Sequence, residues 1–228
     1  MIPLRDNLPK HHLPLVTLVL IAINAYVFWK EYLLGPWGGQ RFLTYYGLIP
    51  CGLTGACQVL GRAFSPTVSV LTSMFVHAGF FHVAGNMLYL WIFAPGVEYA
   101  LGKVRFLLFY LVCGIGAAGV QVWANPASRI PMVGASGAIS GVLGAYLRLY
   151  PHARILTLVP VALFVTAVEI NALFVLGFWI LVQLANGFLT FNVDHGGVAW
   201  LAHVGGFMVG LLGVKLFRPR VLSHGRFA

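Results

Sequence analysis

Residues 106–123, FLLFYLVCGIGAAGVQVW, hold no Asp, Glu, Lys, Arg or His and show no alternation of polar and apolar positions. Only helices and closed barrels can cross hydrocarbon, because every backbone N–H and C=O must find its partner within the protein. A barrel strand alternates lipid-facing and lumen-facing residues, whereas a near-continuous apolar run of this length is a membrane helix. Five more runs of the same kind occupy Leu13–Trp29, Gly79–Val97, Gly134–Leu149, Asn171–Phe191 and Val198–Phe217. They define the fold class as an all-α polytopic membrane protein, a bundle of six transmembrane helices. Gly134–Leu149 is the shortest run, and a helix of that length spans only if its start lies below the surface among its neighbours.

The whole chain agrees with this reading. Of its 228 residues 60% are hydrophobic and 8% charged, against about 25% charged in soluble domains. The net charge of +9 comes from residues set between apolar runs rather than in a stripe that tracks phosphates, so nucleic acid is excluded as a partner. These basic residues read instead as topology signals and contacts to membrane lipids. Lys10 precedes the first run, but that run is long for a signal-peptide core and lacks an A-x-A site, so it reads as a retained span.

Ile155–Val168 is also apolar and leaves a choice between six and seven crossings. Its Pro160 and terminal Glu169 suit an interfacial or partly embedded segment. With six spans, ten of the 14 Lys and Arg fall on one side and Lys30, Arg41, Arg62 and Arg129 on the other, a bias that a seventh crossing erases. The positive-inside rule then puts both termini in the cytoplasm of a cell, or inner, membrane. Residues 1–228 form a single membrane domain. Within it, 30–78 is a long external loop, expected to fold partly into surface helices with Trp37, Phe42, Tyr45 and Tyr46 at headgroup level. Residues 218–228 form a flexible cytoplasmic tail. Cys51 and Cys57 share the external loop and are either a disulfide or two apolar fillers; Cys113 is a filler inside a span.

Spans two, four and six enter from the same side, and each carries polar groups near that end: His82 and Asn86, Ser136, and His203. Polar and ionisable residues inside a span usually face the bundle interior or a water-filled cavity. Ser136 follows Pro131 and Gly134 and falls in the first turn of a helix, where free N–H groups suit a developing oxyanion. His203 is the candidate base. The alternative is a helix-capping serine and a core histidine. His82 and Asn86, four apart, share a helical face and either donate toward an oxyanion or clamp span two to its neighbours. His77 stands five residues before His82, but no HExxH or carboxylate ligand accompanies these histidines, so no metal and no cofactor is expected. Glu98 lies at the wrong end, Asp194 in a Gly-rich loop and Glu169 on the cytoplasmic side, so a Ser–His dyad without a buried carboxylate is expected. Gly137 with Gly141, and Gly206 with Gly210, are GxxxG pairs that allow close helix contact beside the serine and the histidine, and Gly144 keeps span four slim.

Taken together, His82-x-x-x-Asn86, Gly134-Ala135-Ser136-Gly137 and Ala202-His203-x-x-Gly206-x-x-x-Gly210, with Gly96-Val97-Glu98 and His77 in support, resemble the rhomboid intramembrane serine proteases. The resemblance implies Ser136 as nucleophile and His203 as base. It also implies an oxyanion hole of His82, Asn86 and the Ser136 backbone N–H, with Gly134 shaping the turn. Two departures stand out. The family often has Trp-Arg where this chain has Ser69, Val70, Leu71 and Thr72, and Tyr or Phe stacked on the histidine where this chain has Ser140.

The function so implied is an intramembrane endopeptidase whose partners are single-span or other transmembrane protein substrates. Span five and the Asp194–Gly197 loop would be its moving parts. A catalytically weak rhomboid-like binding factor is the alternative; a transporter would need more polar residues along the spans.

Overall fold

The computed structural model describes residues 1–9, 13–59, 64–161, 164–189 and 198–217. Five stretches are helical, long and apolar enough to cross a membrane: α1 (Leu15–Leu33), α5 (Phe80–Leu101), α6 (Lys103–Ala124), α8 (Ala172–Leu189) and Trp200–Phe217, which comprises α9 (Trp200–Gly213) and a closing 3-10 turn, Val214–Phe217. The sixth expected span is α7 (Ser136–Leu149), and by itself it is not long enough to cross. With 14 residues it rises only about 21 Å, short of the hydrocarbon thickness. Unlike α1 and α8, which leave most of their residues outside the protein interior, α7 is buried without a break from Ala138 to Tyr146.

What lets α7 sit so deep is its glycines. α7 packs most extensively on α9, then on α6 and α5. A Cβ on Gly206 would collide with the Gly137 carbonyl, one on Gly210 with the Gly141 backbone, and one on Gly144 with the Phe207 carbonyl. The two GxxxG pairs therefore face each other and bring α7 and α9 to backbone contact, as small-residue motifs permit. Below the glycines, Phe93, Tyr110 and Tyr146 fill the space between α5, α6 and α7, all fully buried.

Other buried polar groups tie helix ends together. The Glu98 carboxylate, near the end of α5, accepts from the backbone N–H groups of Val16 (3.0 Å) and Thr17 (2.8 Å) and from the Thr17 hydroxyl (2.7 Å). The start of α1 has no capping side chain of its own, so a distant acid satisfies donors that a helix start leaves free. Tyr146 donates to Asp6 (2.9 Å) and Tyr150 to the Gly96 carbonyl (3.0 Å).

The bundle is all-α, as expected, and a small sheet lies beside it. A three-stranded antiparallel sheet, in the order β1 (Ile2–Asp6), β2 (Arg154–Val161), β3 (Phe164–Asn171), joins the N-terminus to the connection between α7 and α8. Its registers run Ile2 to Leu158 and Asp6 to Ile155, then Arg154 to Asn171 and Val161 to Phe164. The apolar 155–168 segment is thus a hairpin, as its density of Val, Ile and Thr favours. Ile155 and Thr157, two apart on one face, are buried. Pro160 lies beyond Leu158, the last β1 partner, where β2 has become an edge that tolerates a missing N–H. Arg154 and Glu169 approach to 3.7 Å across the hairpin in an exposed pair.

Between α1 and α5 the long connection holds α2 (Gly35–Tyr46), α3 (Pro50–Thr54), α4 (Pro66–Thr72) and a 3-10 turn, Ser73–Phe75. Short helices were expected there; α2 buries none of its residues and leaves Trp37 exposed, while Phe42, Tyr45 and Tyr46 cluster with Phe64. Cys51 and Cys57 are disulfide-bonded, and Cys113 is free and buried. The expected tail, 218–228, and the Asp194–Gly197 loop lie outside the described residues.

Candidate active site

The loop leading into α7 is held from several sides. Leu48 and Met132 exchange two backbone hydrogen bonds (3.0 and 2.7 Å), and the Gly134 N–H donates to the Ser73 carbonyl (2.9 Å). Thr72 donates to the Tyr46 carbonyl (2.6 Å), which anchors the connection that lacks Trp-Arg. His77, fully buried ahead of α5, accepts from the Ala135 N–H at 3.4 Å. Burial, and after it the neighbouring His82, pushes the His77 pKa down to about 3, against a smaller opposing effect of the Phe75 carbonyl. A neutral imidazole is the form that can accept at this position.

This bracing delivers Ser136 as the first residue of α7, where its N–H is free of intrahelical bonding and faces the positive end of the helix dipole. On α9, the Gln121 side chain of α6 accepts from the Ala202 N–H (3.1 Å) and so secures the turn that carries His203. With the glycines drawing the helices together, Ser136 Oγ lies 2.8 Å from His203 Nε2.

Opposite them, α5 supplies His82 and Asn86. Gly134 has φ +117°, and a Cβ there would lie 2.7 Å from His82 Nε2 and 3.5 Å from Asn86 Nδ2. Glycine thus leaves a space bounded by both side chains at the turn before Ser136. Asn86 Nδ2 is buried with no partner, a donor aimed at nothing the protein provides. Buried donors in that state are costly and mark sites that await a ligand atom. A cavity of about 720 Å³ runs past these groups and reaches Trp179 and Gln183 on α8.

His82, Asn86, Gly134, Ser136, Gly137 and His203 thus meet at the end of the bundle where α5, α7 and α9 begin, while Gly141 and Gly210 pack deeper between α7 and α9. The carboxylates do not join them: Glu98 caps α1, Glu169 pairs with Arg154, and Asp194 lies outside the described residues. Among the described residues, the group on the far side of His203 is an amide. Gln183 Oε1 lies 2.7 Å from His203 Nδ1. The Trp179 ring lies 6.0 Å from the imidazole at 35°, and Trp200 meets it edge-on at 6.2 Å. Ser140 occupies the place of the family's aromatic residue, donates to the Gly137 carbonyl (2.7 Å) and lies against Gly206, so the tryptophans flank the histidine instead. Sequence reasoning missed Gln183 and Trp179. The available signal was a lone amide in the apolar stretch 172–184, four residues after a tryptophan and therefore on its face of the helix.

Comparison with known proteins gives the family. Residues 65–220 match the family model described as Rhomboid domain. "Rhomboid protein 1, mitochondrial" of Saccharomyces cerevisiae is 32% identical over 210 residues, covering 89% of this chain and 53% of that protein. "Rhomboid protease GluP" of Bacillus subtilis is 34% identical over 158 residues, 69% of this chain and 27% of that protein. "Putative rhomboid protease YdcA" of the same organism is 44% identical over 89 residues, 39% of this chain and 44% of its own length. The chain therefore spans about half or less of the length of these curated relatives.

Proposed function

The chain belongs to the rhomboid family of intramembrane serine proteases, and from that membership we propose that it is itself an endopeptidase cutting peptide bonds in or near transmembrane segments of membrane proteins. The observation that carries the reading is the 2.8 Å approach of Ser136 Oγ to His203 Nε2 beside a buried, unpartnered Asn86 amide.

In the proposed mechanism His203 Nε2 takes the hydroxyl proton as Ser136 Oγ attacks the scissile carbonyl carbon. The negative oxygen then forms where the Ser136 N–H, Asn86 Nδ2 and His82 Nε2 converge, which stabilises the tetrahedral intermediate more than the ground state. Collapse breaks the C–N bond, and His203 returns the proton to the leaving amine. A water molecule, deprotonated by the same imidazole, hydrolyses the acyl-Ser136 ester and frees the enzyme.

For topology we infer six crossings, with α7 as the buried short one, and both termini in the cytoplasm of the cell membrane. The ten-to-four distribution of basic residues supports this. So does the Cys51–Cys57 disulfide, since disulfides persist on oxidising sides of membranes and this one lies in the 30–78 connection. The sheet that joins Ile2–Asp6 to the connection between α7 and α8 puts those two segments on a common face. The site then opens toward the outer face, from which hydrolytic water comes. Substrates are transmembrane proteins, and membrane lipids surround the single 1–228 domain.

The test is to incubate the purified chain in detergent micelles with a panel of single-span proteins, alongside Ser136→Ala. Cleavage by the wild type and not by the variant is expected, with a fluorophosphonate probe attached to Ser136 by mass spectrometry. An adduct on another serine, or undiminished proteolysis by Ser136→Ala, overturns the mechanism. A folded wild type that takes up no probe supports a binding factor instead.

A further inference from the structure

We propose that Gln183 is a positioning residue for the base: its side-chain oxygen holds His203 in the tautomer and ring orientation that present Nε2 to Ser136. The inference rests on the Ser136–His203 reading above and names the group that completes it.

An imidazole that is to accept a proton at Nε2 must carry its own proton at Nδ1, and a free histidine interconverts between the two tautomers. Gln183 Oε1, a pure acceptor, lies 2.7 Å from Nδ1. Only the Nδ1–H tautomer can donate to it, and that tautomer leaves the Nε2 lone pair facing the Ser136 hydroxyl at 2.8 Å. The three groups form one chain of hydrogen bonds from α8 through α9 to α7. Gln183 is 5% exposed and His203 9%, so water competes poorly for either end of that bond.

The arrangement also fixes the ring plane. Trp179 lies one helical turn before Gln183 and flanks the imidazole from the same face of α8. Amide below and indole alongside do together what a carboxylate does in a soluble triad, with one difference: the amide brings no charge. A neutral amide orienting a catalytic histidine has precedent in Cys–His–Asn proteases. In an apolar bundle a buried carboxylate would itself need a partner. Gln183 supplies orientation and avoids that cost.

Two variants separate positioning from packing. Gln183→Leu keeps about the same volume and removes the acceptor; Gln183→Glu keeps the acceptor and adds charge. Turnover of a single-span substrate, probe labelling at Ser136 and thermal unfolding are measured on wild type, both variants and Ser136→Ala. For Gln183→Leu the expected result is a kcat about 10- to 100-fold lower with KM within about twofold, and a parallel fall in labelling rate. The range is set below the roughly 10⁴-fold loss that a wrong tautomer causes in a soluble triad, since this ring is left free rather than held wrongly. Gln183→Glu should retain turnover at alkaline pH. The acid limb of its pH–rate profile should move to higher pH, because a carboxylate at Nδ1 favours the imidazolium; among the described residues, the other titratable neighbour facing His203 is His82 on α5.

A kcat for Gln183→Leu within threefold of wild type overturns the inference while leaving the dyad intact. The same holds if its loss is entirely in KM, or if Gln183→Glu loses as much as Gln183→Leu with an unmoved pH profile. If Gln183→Leu unfolds, the pH profile of Gln183→Glu decides alone. A wild type that neither cleaves nor labels sinks the protease reading and this inference with it.

Discussion

Gly206 on α9 lies against the Gly137 carbonyl on α7 with no room for a methyl group between them. Gly137 follows Ser136 directly and Gly206 is one turn past His203, so this contact sets how closely the two side chains approach. Gly206→Val should force the helices apart, at a stability cost of about 1–3 kcal/mol for overpacking. Turnover should fall by about 100-fold for an ångström of misplacement. Gly213→Ala, where a Cβ meets open space, should keep activity within about twofold of wild type. Equal effects from both, in turnover and in unfolding, would refute the role given to the contact.

Asn86 is expected to act on the transition state alone, because its buried Nδ2 has no partner in the resting protein. Asn86→Ala should lower kcat by up to the equivalent of about 3 kcal/mol while KM stays near wild type. A change confined to KM would assign Asn86 to substrate binding.

Glu98 and the start of α1 test the opposite end of the bundle. Sixteen residues separate Glu98 from His82 on α5, about 24 Å along the axis. Glu98→Ala removes three charge-assisted hydrogen bonds and should destabilise by about 2–3 kcal/mol. Probe labelling per folded molecule at low temperature should remain unchanged. A selective loss of labelling would mean that this cap acts on the site.

The lowered pKa of His77 makes stability depend on acid. The unfolded state takes up a proton near pH 6.5 and the folded state only near 3, so stability is complete above about 6.5 and declines as pH falls toward 3. His77→Gln keeps an acceptor for the Ala135 N–H and cannot titrate. Its unfolding midpoint should vary less across that window, and an identical pH dependence in wild type and variant would exclude His77 as the cause.

The inferred sidedness is open to direct labelling. In oriented vesicles a membrane-impermeant maleimide should reach the part-exposed Cys57 from outside only after an impermeant reductant has opened the disulfide, while buried Cys51 and Cys113 react slowly or not at all. Labelling of Cys57 from the cytoplasmic face would invert the topology.

The membrane class, the approximate spans and the gathering of His82, Asn86, Ser136 and His203 at one end were legible in the sequence, because hydropathy and depth along a helix are local properties. Even α7 announced its shortness, and its glycines their need for close neighbours. Other features depended on tertiary structure. The 154–171 hairpin is extended to three strands by a strand at the N-terminus, and a pairing partner about 150 residues away leaves no local mark. The apolar run 106–123 hid Gln121, which caps α9 at Ala202. The partner of His203 Nδ1 was equally hidden: hydropathy reports that Gln183 is embedded, but the rotation of α8 about its axis and its packing on α9 decide that the amide meets an imidazole 20 residues on rather than lipid.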